Sequence, residues 1–205
     1  MKYKFPLSIP FGREVEVTQG FKSTALIDYY RSKGIYISFH DAVDVRVKGG
    51  TAIDTYGVPF VCPFPRATLK KYVEADPVNG IGGSVQVEYI EPDGTSLVVG
   101  CIHLSGTVRK DSYNEGDIMG YIGNAGYVVP APEIGTPFGG SHGHVTLSKK
   151  KFGESNWTAI DPLLYLDVTN PFRSSDTGIE RDKFAIQWAI QKIREAFKKI
   201  TGKYL

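Results

Sequence analysis

The run Ser84-Val85-Gln86-Val87-Glu88-Tyr89, followed by Glu91-Pro92-Asp93-Gly94 and Leu97–Ile102, constrains the fold more than any other stretch. Clean alternation of polar and apolar side chains is the pattern of a strand with one buried face. Pro, Asp and Gly in succession favour a tight turn, so the two runs read as a hairpin. Pro59–Cys62, Ala67–Val73, Gly83–Tyr89 and Thr95–Ile102 all read as short strands, punctuated by Gly and Pro. One helix is expected early, around Ser23–Ser32, and no internal repeat or low-complexity tract is present. The texture is therefore mainly β, with antiparallel pairing.

The four histidines fall on this framework in a pattern. His40 precedes Asp44 by four residues, His103 lies in Cys101-Ile102-His103-Leu104-Ser105, and His142 and His144 flank Gly143. Neutral imidazole and carboxylate are good zinc ligands, and three protein ligands plus a water make a catalytic site. Two histidines remain over, which suits proton handling and transition-state stabilisation. Gly143–Leu147 reads as a strand, so His142 and His144 point the same way. By the same rule Cys101 and His103 share a face, as do positions 40, 42 and 44 if that run is extended. Three separated segments then deliver polar groups to one pocket. A single histidine near apolar residues is more often packed or solvent-facing. The joint occurrence in this order is what argues for a site.

These motifs resemble those of the lysostaphin-like zinc metallopeptidases, which cut peptide cross-links in bacterial cell walls. His40-x₃-Asp44, His103-Leu104-Ser105 and His142-Gly143-His144 stand in the family's order. Outside the site, Gly57–Pro63, Gly116–Gly126, Asp161–Leu166 and Val17–Phe21 resemble further family segments, so the likeness covers about residues 15 to 167. Ala42 stands where the family has glycine, Gly143 where leucine is usual, and Thr146 where glutamate is frequent. The resemblance implies an antiparallel β-sheet metallopeptidase domain with Zn²⁺ held by His40, Asp44 and His144. It implies His103 and His142 as the catalytic pair, without saying which is the general base. The implied activity is endopeptidase cleavage of peptidoglycan peptides. The alternatives are a non-catalytic wall-binding or activator module, and a structural phage-tail component on the same fold. The module would have lost ligands, whereas all five residues are present here.

At 205 residues the chain fits one domain with an appendage: residues 1–168 as the zinc metallopeptidase domain and 169–205 as linker and C-terminal amphipathic helix. Phe184, Ile186, Trp188, Ile190, Ile193, Phe197 and Ile200 recur at mainly helical spacing. That helix is expected to dock on the domain, with self-association or surface binding through its lysines as alternatives. A net charge of +2 gives no case for nucleic acid. Two cysteines make no disulfide framework, and Cys62 and Cys101 are expected as buried thiols, Cys101 with a potential place in the pocket. Lys149–Lys151 reads as a solvated hairpin tip. The proline-bearing loop Tyr127–Gly140 runs directly into His142 and is expected to wall the cleft. No apolar run follows Met1–Pro6, so neither a secretory signal nor a membrane span is expected. An enzyme of this kind would reach the wall by phage delivery or a non-secretory route.

Overall fold

The computed structural model describes residues 2–32, 34, 36–76, 82–126, 128 and 138–174. The elements run β1 (Tyr3–Pro10), β2 (Val15–Gln19), α1 (Ile27–Ser32), β3 (Ala42–Val47), α2 (Ala52–Thr55), β4 (Pro59–Val61) and β5 (Arg66–Val73). There follow β6 (Gly83–Ile90), β7 (Ser96–Leu104), β8 (Gly106–Thr107), β9 (Ser112–Asn114), β10 (Ile118–Tyr121), β11 (Gly143–Lys150), β12 (Thr158–Ala159) and β13 (Leu166–Ser174).

The hairpin forms where the alternation places it. Val85 and Val87 are buried on β6 while Gln86 and Glu88 are half-buried. Gly94 at φ 82° closes the turn, its amide donating to the Glu91 carbonyl, and the Asp93 carboxylate accepts from the Thr95 amide. Around this hairpin the described residues build an eight-stranded antiparallel sheet in the order β2-β3-β11-β7-β6-β5-β9, with β12 pairing β11. A smaller sheet runs β13-β1-β4-β10-β8.

The core lies between the two sheets. Val43, Val45, Val85, Val87, Val99, Cys101, Val145 and Leu147 meet Phe5, Leu7, Phe60 and Met119 in one buried cluster. Each large apolar side chain so buried contributes roughly 1.5–3 kcal/mol. The other face of the large sheet is left free of this cluster. In register, Ala42 faces Thr146, Asp44 faces His144, and Gly100 faces Thr146 on that side.

Several expectations are refined. The pairing is antiparallel except that β13 runs parallel to β1, from Tyr3 against Leu166 to Pro10 against Ser174. A parallel pair needs a long crossover, and here the rest of the domain supplies it. The early helix is shorter than expected, beginning at Ile27. The segment after β3 contains an unforeseen helical turn, α2, where the Thr51 amide donates to the Asp54 carboxylate in a capping box. Lys149 and Lys150 belong to β11, and the turn begins at Lys151, whose amide donates to Glu154. Lys149 also reaches the Tyr165 hydroxyl. The C-terminal helix expected from Phe184 to Ile200 and most of the loop Tyr127–Gly140 lie outside the described residues. No helix among the described residues is long and apolar enough to cross a membrane.

Candidate metal centre

Asp44 and His144 are direct cross-strand neighbours on β3 and β11. Such pairs place their side chains on one face about 5 Å apart at Cβ, close enough for their tips to meet. Asp44 Oδ1 lies 2.9 Å from His144 Nδ1. His40 joins them from just before β3. Its backbone is tied to the turn that follows β2, donating to the Ser23 carbonyl and accepting from the Lys22 amide. Its Nδ1 lies 3.1 Å from the Gly20 carbonyl and donates to it, which leaves the lone pair on Nε2. That Nε2 lies 3.2 Å from Asp44 Oδ1 and 3.3 Å from His144 Nδ1.

Three atoms thus form a triangle with edges of 2.9, 3.2 and 3.3 Å. Ligands about 2.0–2.1 Å from a tetrahedral zinc stand roughly 3.3–3.4 Å apart. The triangle fits one face of that tetrahedron. The donor set, two imidazoles and one carboxylate, also suits zinc. Asp44 Oδ1 is buried and has no aligned hydrogen-bond partner, despite the nitrogens around it. A buried carboxylate oxygen without a donor is costly unless a cation balances it. Burial pushes the Asp44 carboxyl up, but His144 and His40 outweigh burial and hold it well below the usual carboxylate range. Burial pulls His40 down, and Asp44 with the Gly20 carbonyl carries it above its ordinary value.

The other two histidines stand beside this triangle. His142 Nδ1 lies 2.7 Å from the Gly140 carbonyl, and His103 Nδ1 lies 2.7 Å from the Ala125 carbonyl. Both rings therefore donate through Nδ1 and keep their Nε2 lone pairs for the pocket. Their ring centroids are 5.2 Å apart, and His103 lies 5.7 Å from His144. Burial, then the charges of His142 and His144, lower His103 to about 4. Burial chiefly lowers His142 as well. Both are neutral proton acceptors at neutral pH.

His103 arrives by a route that alternation does not give. Ile102 and His103 together oppose Ser84, because the register slips between Gly83 and Val85. His103 takes φ 61°, a left-handed conformation that non-glycine residues seldom adopt. This is a β-bulge, a device that re-aims a side chain. Cys101 pairs with Val145 and belongs to the core, so it does not line the pocket and does not share a face with His103. Two glycines make room for the bulge. A Cβ on Gly123 would lie 2.6 Å from the His103 carbonyl oxygen, and one on Gly82 would lie 2.9 Å from His103 Cα.

All five residues singled out in the sequence converge here. The three carbonyls that orient the rings, of Gly20, Ala125 and Gly140, carry no signal in residue type because they are backbone. Asp41, an exposed neighbour, places its carboxylate 3.9 Å from His144 Nε2. Tyr30 also comes within the field of Asp44: burial and then that charge raise its phenol.

No protein-family model and no curated protein matches the chain. Among solved structures it is similar to the antimicrobial peptidase lysostaphin from Staphylococcus simulans, at 21% identity and a TM-score of 0.50, over 86% of this chain and 59% of that one. It is also similar to a mutant catalytic domain of the prophage-encoded protein EnpA from Enterococcus faecalis, at 21% identity and TM-score 0.45, over 77% of this chain and 96% of that one. A chain of the SpoIIQ–SpoIIIAH pore-forming complex matches at 20% identity and TM-score 0.46, over 80% and 94%. Sheet order, register and the lysostaphin match together establish that this chain has the lysostaphin-like β fold.

Proposed function

We propose that this protein is a zinc-dependent endopeptidase that hydrolyses peptide cross-links of bacterial peptidoglycan. The observation that carries the reading is the triangle of His40 Nε2, Asp44 Oδ1 and His144 Nδ1 beside two imidazoles whose Nε2 lone pairs are free. His40, Asp44 and His144 hold the metal, and His103 and His142 are the catalytic pair. Zinc bound there supplies a Lewis acid that lowers the pKa of a water and polarises the scissile carbonyl.

The chain's own groups do the rest. The Gly20 carbonyl fixes the His40 ring and its tautomer, which sets the ligand's aim. The Ala125 and Gly140 carbonyls do the same for the catalytic pair. A neutral imidazole of this pair takes the proton of the attacking water at Nε2. Once protonated, it holds that proton for the leaving amine and stabilises the developing oxyanion. Both rings start neutral because burial disfavours the charged form.

The fold shared with a protein described as an antimicrobial peptidase supports the same reading. Retention of all five residues favours an enzyme over a non-catalytic wall-binding or activator module. Its place of action is then the bacterial wall. Digestion of purified walls of several cross-bridge types tests the proposal. New amino termini should appear with zinc-loaded protein and vanish after chelation. Zinc-loaded protein that releases no termini from any wall type would leave only a binding role.

A further inference from the structure

We propose that the outer face of the large sheet carries a subsite, built from Trp157, Lys150 and Lys70, for a carboxylate of the substrate peptide remote from the bond that is cut. The inference rests on the endopeptidase reading, which makes a wall peptide the substrate.

The register lays out the face that leads away from the candidate metal centre. Beyond Asp44 and His144 comes the row Ala42, Thr146, Gly100 and Gln86, then Ser148, Val98 and Glu88, then Lys150 and Ser96. Successive rows are two residues apart, so Lys150 lies roughly 20 Å along β11 from His144, the span of about six residues of extended peptide. A Cβ on Gly100 would meet Gln86 Cγ at 2.7 Å and Thr146 Oγ1 at 3.1 Å. Gln86 and Thr146 thus close over Gly100, and these half-buried side chains put an amide and a hydroxyl on this face.

Trp157 stands at the far end of this face. It precedes β12, which pairs with Ser148 and Lys149. Lys150 from β11 and Lys70 from β5 place their Nζ atoms 5.1 and 4.9 Å from the centre of its ring. Strands β7 and β6 lie between those two, so the indole gathers ammonium groups from both sides of the face. Indole is the ring that holds a cation best. The charges there are not balanced. Glu88 accepts from Lys70 at 2.7 Å, but among the described residues no carboxylate pairs with Lys150. One positive charge is left over on a half-buried lysine whose ammonium the ring positions. One surplus charge at the end of a polar floor suits one carboxylate on an extended peptide. A polyanion would need cations along its length, whereas the neighbouring row supplies the acidic Glu88.

The probe is the cross-linked peptide pool released from purified walls of several cross-bridge types by a glycan-cleaving hydrolase. Its amines are acetylated, and half of the pool is then amidated with carbodiimide and ammonia to remove the carboxylates. Full-length zinc-loaded chain should cut the amidated half with KM raised about fivefold and kcat unchanged, the behaviour of a remote, solvent-screened ion pair. Zinc-loaded His142→Ala should bind the two halves in the same ratio in equilibrium dialysis. Lys150→Gln and Trp157→Ala should each lose the preference with zinc content unchanged. Lys48→Gln, which removes the same charge elsewhere, should retain it, and Lys150→Glu should reverse it. Equal KM for both halves in the wild type, or a preference that survives in Lys150→Gln, overturns the inference and leaves the proposed function standing. No cleavage of either half, with the unequal binding retained, removes the enzyme reading and supports the subsite as a peptide-binding one.

Discussion

Cys101 and His103 lie two residues apart on β7, yet they face opposite sides of the large sheet. Cys101 sits opposite Val145 in the core, and the bulge at Ile102–His103 turns the imidazole to the side of the candidate metal centre. Burial pushes the Cys101 thiol far up, and lifts Cys62 to about 11. The thiolate is the reactive form. Neither cysteine should therefore react with a thiol-specific reagent in the folded protein, and both should react on unfolding. Rapid native labelling that peptide mapping assigns to Cys101 would place it in the pocket after all.

Ligands and catalysts should separate on mutation. Asp44→Ala and His144→Ala should lose zinc and activity together. His103→Ala and His142→Ala should retain most zinc yet lose roughly 10²-fold or more in turnover. Elemental analysis beside wall hydrolysis reads both quantities. Equal zinc loss in His103→Ala and His144→Ala would overturn the division of roles.

Zinc should also stabilise the fold, since the ligands come together only in the folded sheet. A ligand at about 1,000 times its Kd contributes about 4 kcal/mol. Chelation should lower the melting temperature of the wild type and leave that of Asp44→Ala unchanged. Equal shifts in both proteins would mean that the metal acts elsewhere.

Asp41 is a candidate outer partner of His144, but at 3.9 Å and exposed it is too far for a hydrogen bond. Outer partners that hydrogen-bond a ligand typically change metal affinity by about 10–100-fold. Asp41→Asn should cost less than about tenfold in zinc affinity, measured by competition with a chelator. A larger loss would show that Asp41 closes onto His144 when metal is present.

Gly123 should not tolerate a side chain. An alanine Cβ would lie 2.5 Å from the Ser105 amide nitrogen and 2.6 Å from the His103 carbonyl oxygen, both backbone. Overpacking of this kind costs roughly 1–3 kcal/mol. Gly123→Ala should lower the unfolding free energy read from urea denaturation by that amount, with a lower midpoint, and reduce turnover, because the Ala125 carbonyl that orients His103 moves with the segment. An unchanged midpoint would show that the backbone yields without strain.

The sequence by itself determined the central strands, β3 to β7 and β11, and the inventory of the site, but not β1, β8 to β10, β12 or β13. Alternation in Ser84–Tyr89 marked the buried valines of β6, and the order of His40, Asp44, His103, His142 and His144 marked the groups that meet. These are local signals, carried by residue type at a period of two. The tertiary structure decided what depends on pairing between distant strands. The face of His103 was misread because a bulge against Ser84 is a property of the β6–β7 register, invisible in β7 alone. The parallel return of β13 beside β1 depends on where the chain ends up after the whole domain has folded. The carbonyls of Gly20, Ala125 and Gly140 have no residue signature, so only the folded backbone could bring them to the imidazoles and set which nitrogen of each ring faces the candidate metal centre.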